Sequence, residues 1–440
     1  MMHRRSDCAG FSGNAAWAAL LWVAISVMPL HVTAQPGGGL PAGDAGEAGL
    51  APARLQLLDA MLDQHVDDGR VPGLVVAVAR HGRLVHLKTA GWQTLDDRRP
   101  MQADSLFQIR SMSKPITAVA VMQLWEQGRL RLDDPVADYI PAFLNPRVLL
   151  TPDDVSSGTR RASRQLTIED LLLHQGGLSH RFSPLYRDNG VRSRDDTLEE
   201  LVEKVAAQPL VADPGALWNY SISTTVLGRI VEIISGQRFD AYLDEHVFGP
   251  LKMTDTGFHV PSGKVDRLAR AYQLAMQPGQ EVQELPEMET PITELPALLE
   301  GAAGMVSSAP DYLRFLQTML NGGELDGERI LQPDTVRLLT TSQLDEALRP
   351  LRLSGRELPG LGWGYGFSVM MEPEQSRYGV NQGEFGWNGS LGTFSWADPQ
   401  TGTIALLLMQ VSPSGAWSLA DKFKSLVHVS LVDEPTGVKE

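Results

Sequence analysis

Cysteine is nearly absent: Cys8 is the only one among 440 residues. It lies ahead of an apolar run at 15–30, whereas a bacterial lipid anchor would need its cysteine just after such a run. Beyond Cys8 there is no thiol, so disulfides, thiolate metal sites and cysteine nucleophiles are excluded there, and stability must come from the apolar core. The ten histidines form no HExxH or comparable pair, and no metal site stands out. No P-loop or dinucleotide fingerprint is present, because Gly301 and Gly304 lack the strand context such loops require. No cofactor is expected. Basic residues are the minority charge, 38 against 53 acidic, for a formal net charge of -15 at pH 7. That balance argues against nucleic acid or an anionic membrane as a partner.

Long hydrophobic runs are also scarce. The run at 15–30 is about 16 residues, short of the roughly 20 a spanning helix needs. Arg4 and Arg5 precede it, and the small residues Val32, Thr33 and Ala34 follow. Residues 1–34 therefore read as a secretory signal cleaved before Gln35. The expected protein is periplasmic or secreted, without a stable membrane anchor. Residues 35–52, rich in Gly, Ala and Pro, read as a flexible linker.

What is present is patterned apolar sequence, 43% hydrophobic in all. Leu55, Leu58, Met61 and Leu62 have helical spacing, predicting a helix over 53–67. Two apolar runs, 74–79 and 84–87, meet at His81-Gly82 as a hairpin. Helices are predicted at 116–127, 224–235, 239–248, 310–320 and 416–431, and strands at 367–371, 393–397 and 403–409. Thr167 and Asp170 form a capping-box pattern at a helix start. Residues 151–165 read as a polar surface loop. The acidic, proline-broken segment 278–300 reads as a long loop, with a lid as the alternative. Strands sit near both ends and helices fill the middle. The fold class expected is α+β: one antiparallel sheet built from both ends of the chain, flanked by helices, with a mostly helical subdomain inserted. The domain would span 53–431, its sheet part at 53–150 and 301–431, its helical part at 151–300, with a tail at 432–440.

Ser111-Met112-Ser113-Lys114 carries the chemistry. A serine hydroxyl is a weak nucleophile until a base stands beside it. On a helix, positions three apart share a face, which sets Lys114 next to Ser111. Burial and neighbouring cations can lower a lysine's pKa enough for it to act as base. A helix N-terminus at Ser111 would favour the negative charge that develops in acyl transfer. Alone, the tetrad is a weak signal. Other catalytic patterns fit less well. Asn388-Gly389-Ser390-Leu391-Gly392 is one residue away from a nucleophile elbow, and the α/β-hydrolase order of elements is absent. His174 and His180 are candidate bases, but the position of His174 at the end of a short helix reads as capping or packing.

Further segments make the pattern specific. They are FQIRSMSKPITAVAVMQLWEQGRLRLDDPVADYIP at 107–141, LTIEDLLLHQGGL at 166–178, PGALWNYSISTTVLGRIVEIISG at 214–236, PLKMTDTGF at 250–258, GMVSSAPDYLRFLQTMLNGG at 304–323 and GWNGSLGTFSWADP at 386–399. In this order they resemble the serine β-lactamase and penicillin-binding-protein superfamily, above all its class C-like branch and the family VIII carboxylesterases. The resemblance covers roughly 53–431. It implies that Ser111 forms the acyl-enzyme and that Lys114 and Tyr220 share proton transfer, either of them as base. It also implies an oxyanion hole from the backbone N–H groups of Ser111 and Ser390, and substrate contacts from Trp387, Asn388 and Gly389.

Two departures bear on substrate. The second motif, Tyr-x-Asn in β-lactamases of that branch, is Tyr220-Ser221-Ile222 here. The third, Lys-Thr-Gly, is Trp387-Asn388-Gly389, so the cation that helps receive a substrate carboxylate is missing. Family VIII esterases carry a similar Trp-x-Gly. The expected function is a serine hydrolase working through an acyl-serine intermediate, a carboxylesterase on small or medium esters. The alternatives are a β-lactamase or D-alanyl-D-alanine carboxypeptidase on amides, and a non-catalytic binding protein of the same fold.

Overall fold

Two hydrophobic runs far apart in sequence lie side by side at the centre of the molecule. In the computed structural model, which describes residues 39–152, 154–193, 195–277, 280–286, 292–376 and 378–432, strand β1 (Gly73–Arg80) pairs with β2 (Arg83–Gly91) through a two-residue turn. His81 and Gly82 both have positive φ, 49° and 78°, the backbone that matches strand twist in a tight hairpin. On its other edge β1 meets a strand from the far end of the chain. The sheet's C-terminal strands are β3 (Leu361–Trp363), β4 (Ser368–Met370), β5 (Phe385–Gly386), β6 (Thr393–Asp398) and β7 (Thr403–Leu408). The order across the seven strands is β3-β4-β5-β6-β7-β1-β2, every neighbour antiparallel. The expected sheet from both chain ends is therefore observed.

Strands β1 and β7 are buried along their whole length, which is why both read as unbroken apolar runs instead of alternating ones. On one face Leu74, Val76, Val78 and Leu407 pack against helix α1 (Pro52–Asp67), through Leu55, Leu58 and Leu62, and against the closing helix Leu419–Ser430, through Phe423 and Val427. The helix Ala309–Leu320 covers the other face. Each such aliphatic side chain contributes about 1.5–3 kcal/mol by leaving water.

Helix α2 (Ser113–Glu126) is the element that builds the site. Every residue from Ser113 to Leu124 is buried, and a helix enclosed on all sides lies in the middle of a domain. It begins three residues earlier than its apolar periodicity predicts, at the tetrad itself. It packs against α3 (Ser223–Ser235) in the helical part. The described residues make one compact unit, so the helical part is not a body of its own. The capping box at Thr167 and Asp170 forms as expected.

Some expectations are corrected. The described part of the stretch expected to be a flexible linker, 39–52, is fixed: Leu50 is fully buried, Ala42 bridges Leu84, and Arg80 donates to the carbonyls of Ala48 and Gly49 at 2.7 and 3.0 Å. Within the expected surface loop at 151–165, Thr159–Arg161 pairs with Arg147–Leu149 as a small hairpin. Strands β3 and β5, the helix Pro333–Thr340 and the hairpin Leu351–Leu353 with Arg356–Leu358 were not anticipated. The strand segments, two or three residues each, carry too little periodicity to read. The expected secretory signal, the start of the linker and the tail beyond Val432 lie outside the described residues, as do 278–279 and 287–291 of the long acidic loop. No helix among the described residues is long and apolar enough to cross a membrane.

Candidate active site

Ser111 stands in a single 3-10 turn, Arg110–Met112, that leads directly into α2. The residue before it, Arg110, has φ 48°, a left-handed conformation that costs energy for a side chain with a Cβ and that clusters at functional sites. Ser113 secures this turn: its hydroxyl donates to the Arg110 carbonyl at 2.7 Å and accepts from the Met305 N–H at 3.3 Å.

Lys114, 3% exposed, projects from the first turn of α2 back over the serine. Its Nζ donates to the Ala302 carbonyl at 2.9 Å and lies 3.4 Å from Ser111 Oγ. Burial is the main reason its pKa is pushed down, to about 7; the charge of Arg181 adds to this, while that of Glu300 opposes it. The dryness follows from the all-round burial of α2, and it favours the neutral amine over the ammonium.

Tyr220 completes the group. Its ring centroid is 4.5 Å from Lys114 Nζ, and its hydroxyl lies near enough to the Ser111 side chain to be influenced by it. Trp387 Nε1–H donates to the phenol oxygen at 2.8 Å. Burial pushes the phenol up to about 12, against the opposing influence of Ser111, Trp387 and Arg181. Hydroxyl, amine and phenol, remote in sequence in one case of three, thus converge.

The phenol ring is held by other aromatics. His174 packs on it at 4.8 Å, Trp387 at 5.4 Å, and Trp218, His180 and Trp363 at 6.0–6.2 Å. The packing expected of His174 is observed, with a polar addition: its Nδ1 accepts from the Ser221 N–H at 3.3 Å and lies 3.1 Å from Ser221 Oγ. Burial, then the Lys114 charge, pushes His174 well below its ordinary range and His180 down to about 4. Both are neutral near pH 7.

The third-motif residues divide. Trp387 is buried and turned toward Tyr220. Asn388 is exposed, and its Oδ1 accepts from the Ser395 N–H at 3.3 Å. Gly389 passes so close to the serine turn that a Cβ would collide with the Ile109 carbonyl and Thr393 Oγ1, a close approach only glycine permits. Ser390, the next residue along the chain, is exposed. In the second motif, Ile222 is buried at 1% exposure and offers no polar group.

A cleft opens beside the serine turn, walled by Arg110, Leu268, Leu298, Glu300, Met305 and Leu391. Its apolar residues can take hydrocarbon. Sequence reasoning missed Glu300, which accepts from Arg181 at 2.6 Å and Arg192 at 2.8 Å, and the aromatic wall of Trp363. Arginine and glutamate are common, and nothing local marks a pair 119 positions apart. Among the described residues no group of three or more His, Cys, Asp or Glu side chains is placed to hold a metal.

This fold belongs to a class of serine hydrolases. The beta-lactamase family profile matches residues 58–426, and the chain is a member of that family. Its relatives include an uncharacterized protein of Mycobacterium tuberculosis, 36% identical over 361 residues, which are 80% of this chain and 89% of the relative. Esterase EstB of Burkholderia gladioli is 33% identical over 383 residues, 81% of this chain and 91% of EstB. Among solved structures, EstCE1, described as a hydrolase with promiscuous acyltransferase activity, is 27% identical with a TM-score of 0.71, over 86% of this chain and 98% of its own.

Proposed function

We propose that the protein is a carboxylesterase that cleaves small or medium neutral esters through an acyl group on Ser111. The observation that carries this reading is Trp387. Where related lactamases hold a cation, this chain has a buried indole whose N–H is already committed to Tyr220. A substrate carboxylate would find no ammonium at that position, whereas Leu268, Leu298, Met305 and Leu391 of the cleft beside Arg110 suit an uncharged acyl or alkyl group. The names of EstB and EstCE1 support the same class of chemistry.

In this reading Ser111 Oγ attacks the ester carbonyl carbon and its proton passes to Lys114, whose amine is about half neutral near pH 7. Tyr220, protonated at that pH, holds the serine hydroxyl and relays a proton to the departing alkoxide. Backbone N–H groups of Ser111 and Ser390 receive the oxyanion; one such donor is worth roughly 3–4 kcal/mol in a transition state. Collapse expels the alcohol. Water, deprotonated by the same amine, then releases the acid and restores Ser111. Export to the periplasm or beyond, argued from the leader, is part of the same proposal.

The test is turnover of p-nitrophenyl acetate and butyrate against nitrocefin. The esters are expected to be hydrolysed far faster than the lactam, and Ser111→Ala to abolish both. Nitrocefin turnover well above ester turnover would replace this reading with a lactamase. Because the neutral amine is the active form, kcat/KM should climb as pH rises through about 7. A flat profile from pH 6 to 8 would remove Lys114 as base. Trp387→Lys should raise activity on carboxylate-bearing substrates relative to neutral esters, and an unchanged ratio would contradict the role given to Trp387.

A further inference from the structure

Lys114 has a second layer of control behind it. Its ammonium is held by the Ala302 carbonyl. Ala302 lies in a turn closed by the Ala303 and Gly304 N–H groups, which donate to the Glu300 carbonyl at 3.0 and 2.7 Å. The Glu300 side chain is almost wholly buried, and two guanidinium groups clamp one of its oxygens: Arg181 at 2.6 Å and Arg192 at 2.8 Å. These pairs are nearly as enclosed as the carboxylate, with Arg181 and Arg192 side chains 10% and 12% exposed. Enclosed charges of this kind interact more strongly than surface pairs, and removing one partner leaves the others uncompensated. Thr117 adds a third tie, donating from α2 to the Gly301 carbonyl at 2.8 Å. The turn that presents a carbonyl to Lys114 is thus fixed by an ion cluster at its start and by α2 at its middle.

We propose that Glu300 and Arg181 are positioning residues for the Ser111 site: Glu300, held by Arg181 and Arg192, locks onto Lys114 the 300–304 turn that presents the Ala302 carbonyl, and the opposed charges of the Arg181–Glu300 pair act on the Lys114 amine. Neither residue touches the reacting atoms. The inference rests on Lys114 being the base.

The other groups around the amine leave this control to the cluster. His174 and His180 are neutral near pH 7, and Tyr220 is protonated there. Arg181 lowers the Lys114 pKa and Glu300 raises it. Loss of either charge must therefore move the activity profile in opposite directions, which a merely structural role would not do.

The measurement is the midpoint of the acid limb of kcat/KM for p-nitrophenyl butyrate, taken with the full chain. Arg181→Gln should move the midpoint upward by about half a pH unit or more, and Glu300→Gln downward by a similar amount. Arg181→Lys, which keeps the charge, should leave the midpoint near that of the parent. Midpoints that stay put, or that move the same way in both variants, would overturn the proposal. If Glu300→Gln does not fold, the contrast between Arg181→Gln and Arg181→Lys decides alone: equal midpoints would overturn the proposal. A parent enzyme with no acid limb would instead remove Lys114 as base, a failure of the underlying reading that this comparison keeps distinct.

Discussion

The sheet core and the pocket around Tyr220 are equally buried and built on opposite principles. In the core, Leu74, Val76, Val78 and Leu407 meet helix side chains with no polar partner to satisfy. Any hydrophobic side chain of similar volume can serve there at modest cost. Around Tyr220, burial is combined with specific bonds: the Trp387 donor, the His174–Ser221 contact and the Lys114 amine on Ala302. A buried polar group that loses its partner keeps the full cost of desolvation. The first region holds the fold together and the second spends stability to keep an amine dry. Substitutions should accordingly separate stability from activity.

The largest separation is expected at Tyr220. Tyr220→Phe keeps the ring among its aromatic neighbours and removes the hydroxyl. Ester kcat/KM should fall about 100-fold or more, with the melting temperature within a few degrees of the parent. A variant that keeps its activity would break the comparison from the site side. In the core, Leu407→Ala should cost about 2–5 kcal/mol in denaturant unfolding while kcat/KM stays within about twofold at temperatures where the protein is folded. Leu407 is fully buried in the middle of β7. Lost activity at full folding would show that the two regions are coupled. Trp387→Phe sharpens the contrast, since it keeps an aromatic ring and deletes the N–H donor. A drop of about 5-fold in kcat/KM, or roughly 1 kcal/mol, is expected from one hydrogen bond. The smallest effect belongs to Thr167→Ala, which opens the capping box and should cost about 1 kcal/mol of stability, with ester turnover unchanged.

The two regions also differ in how far they can be read from the chain. The core is a matter of local pattern: the runs at 74–79 and 403–409, the helical spacing of Leu55, Leu58 and Leu62, and Thr167 with Asp170 three positions on. Each is visible within a dozen residues, and each took the expected form. The candidate catalytic set was legible because Ser111 and Lys114 share a turn and because Tyr220 and Trp387 sit in segments with a family likeness. What surrounds it was hidden. The Glu300 clamp joins residues 108 and 119 positions apart, and Trp363 lies in a three-residue strand with no period of its own. The stretch at 39–52 looked mobile by composition, yet Leu50 and the Arg80 hydrogen bonds fix it. Composition reports the freedom of the isolated chain, and tertiary contacts remove it.

The central claim is that a neutral Lys114 makes Ser111 the residue that carries the acyl group. Acid quenching during turnover of p-nitrophenyl butyrate, followed by peptide mass mapping, tests it directly. One butyryl group on Ser111, more abundant at pH 8 than at pH 6 and absent from Lys114→Met, is the predicted result. Steady ester turnover with the butyryl group on another residue, or on Ser111 in equal amount in Lys114→Met, would contradict it.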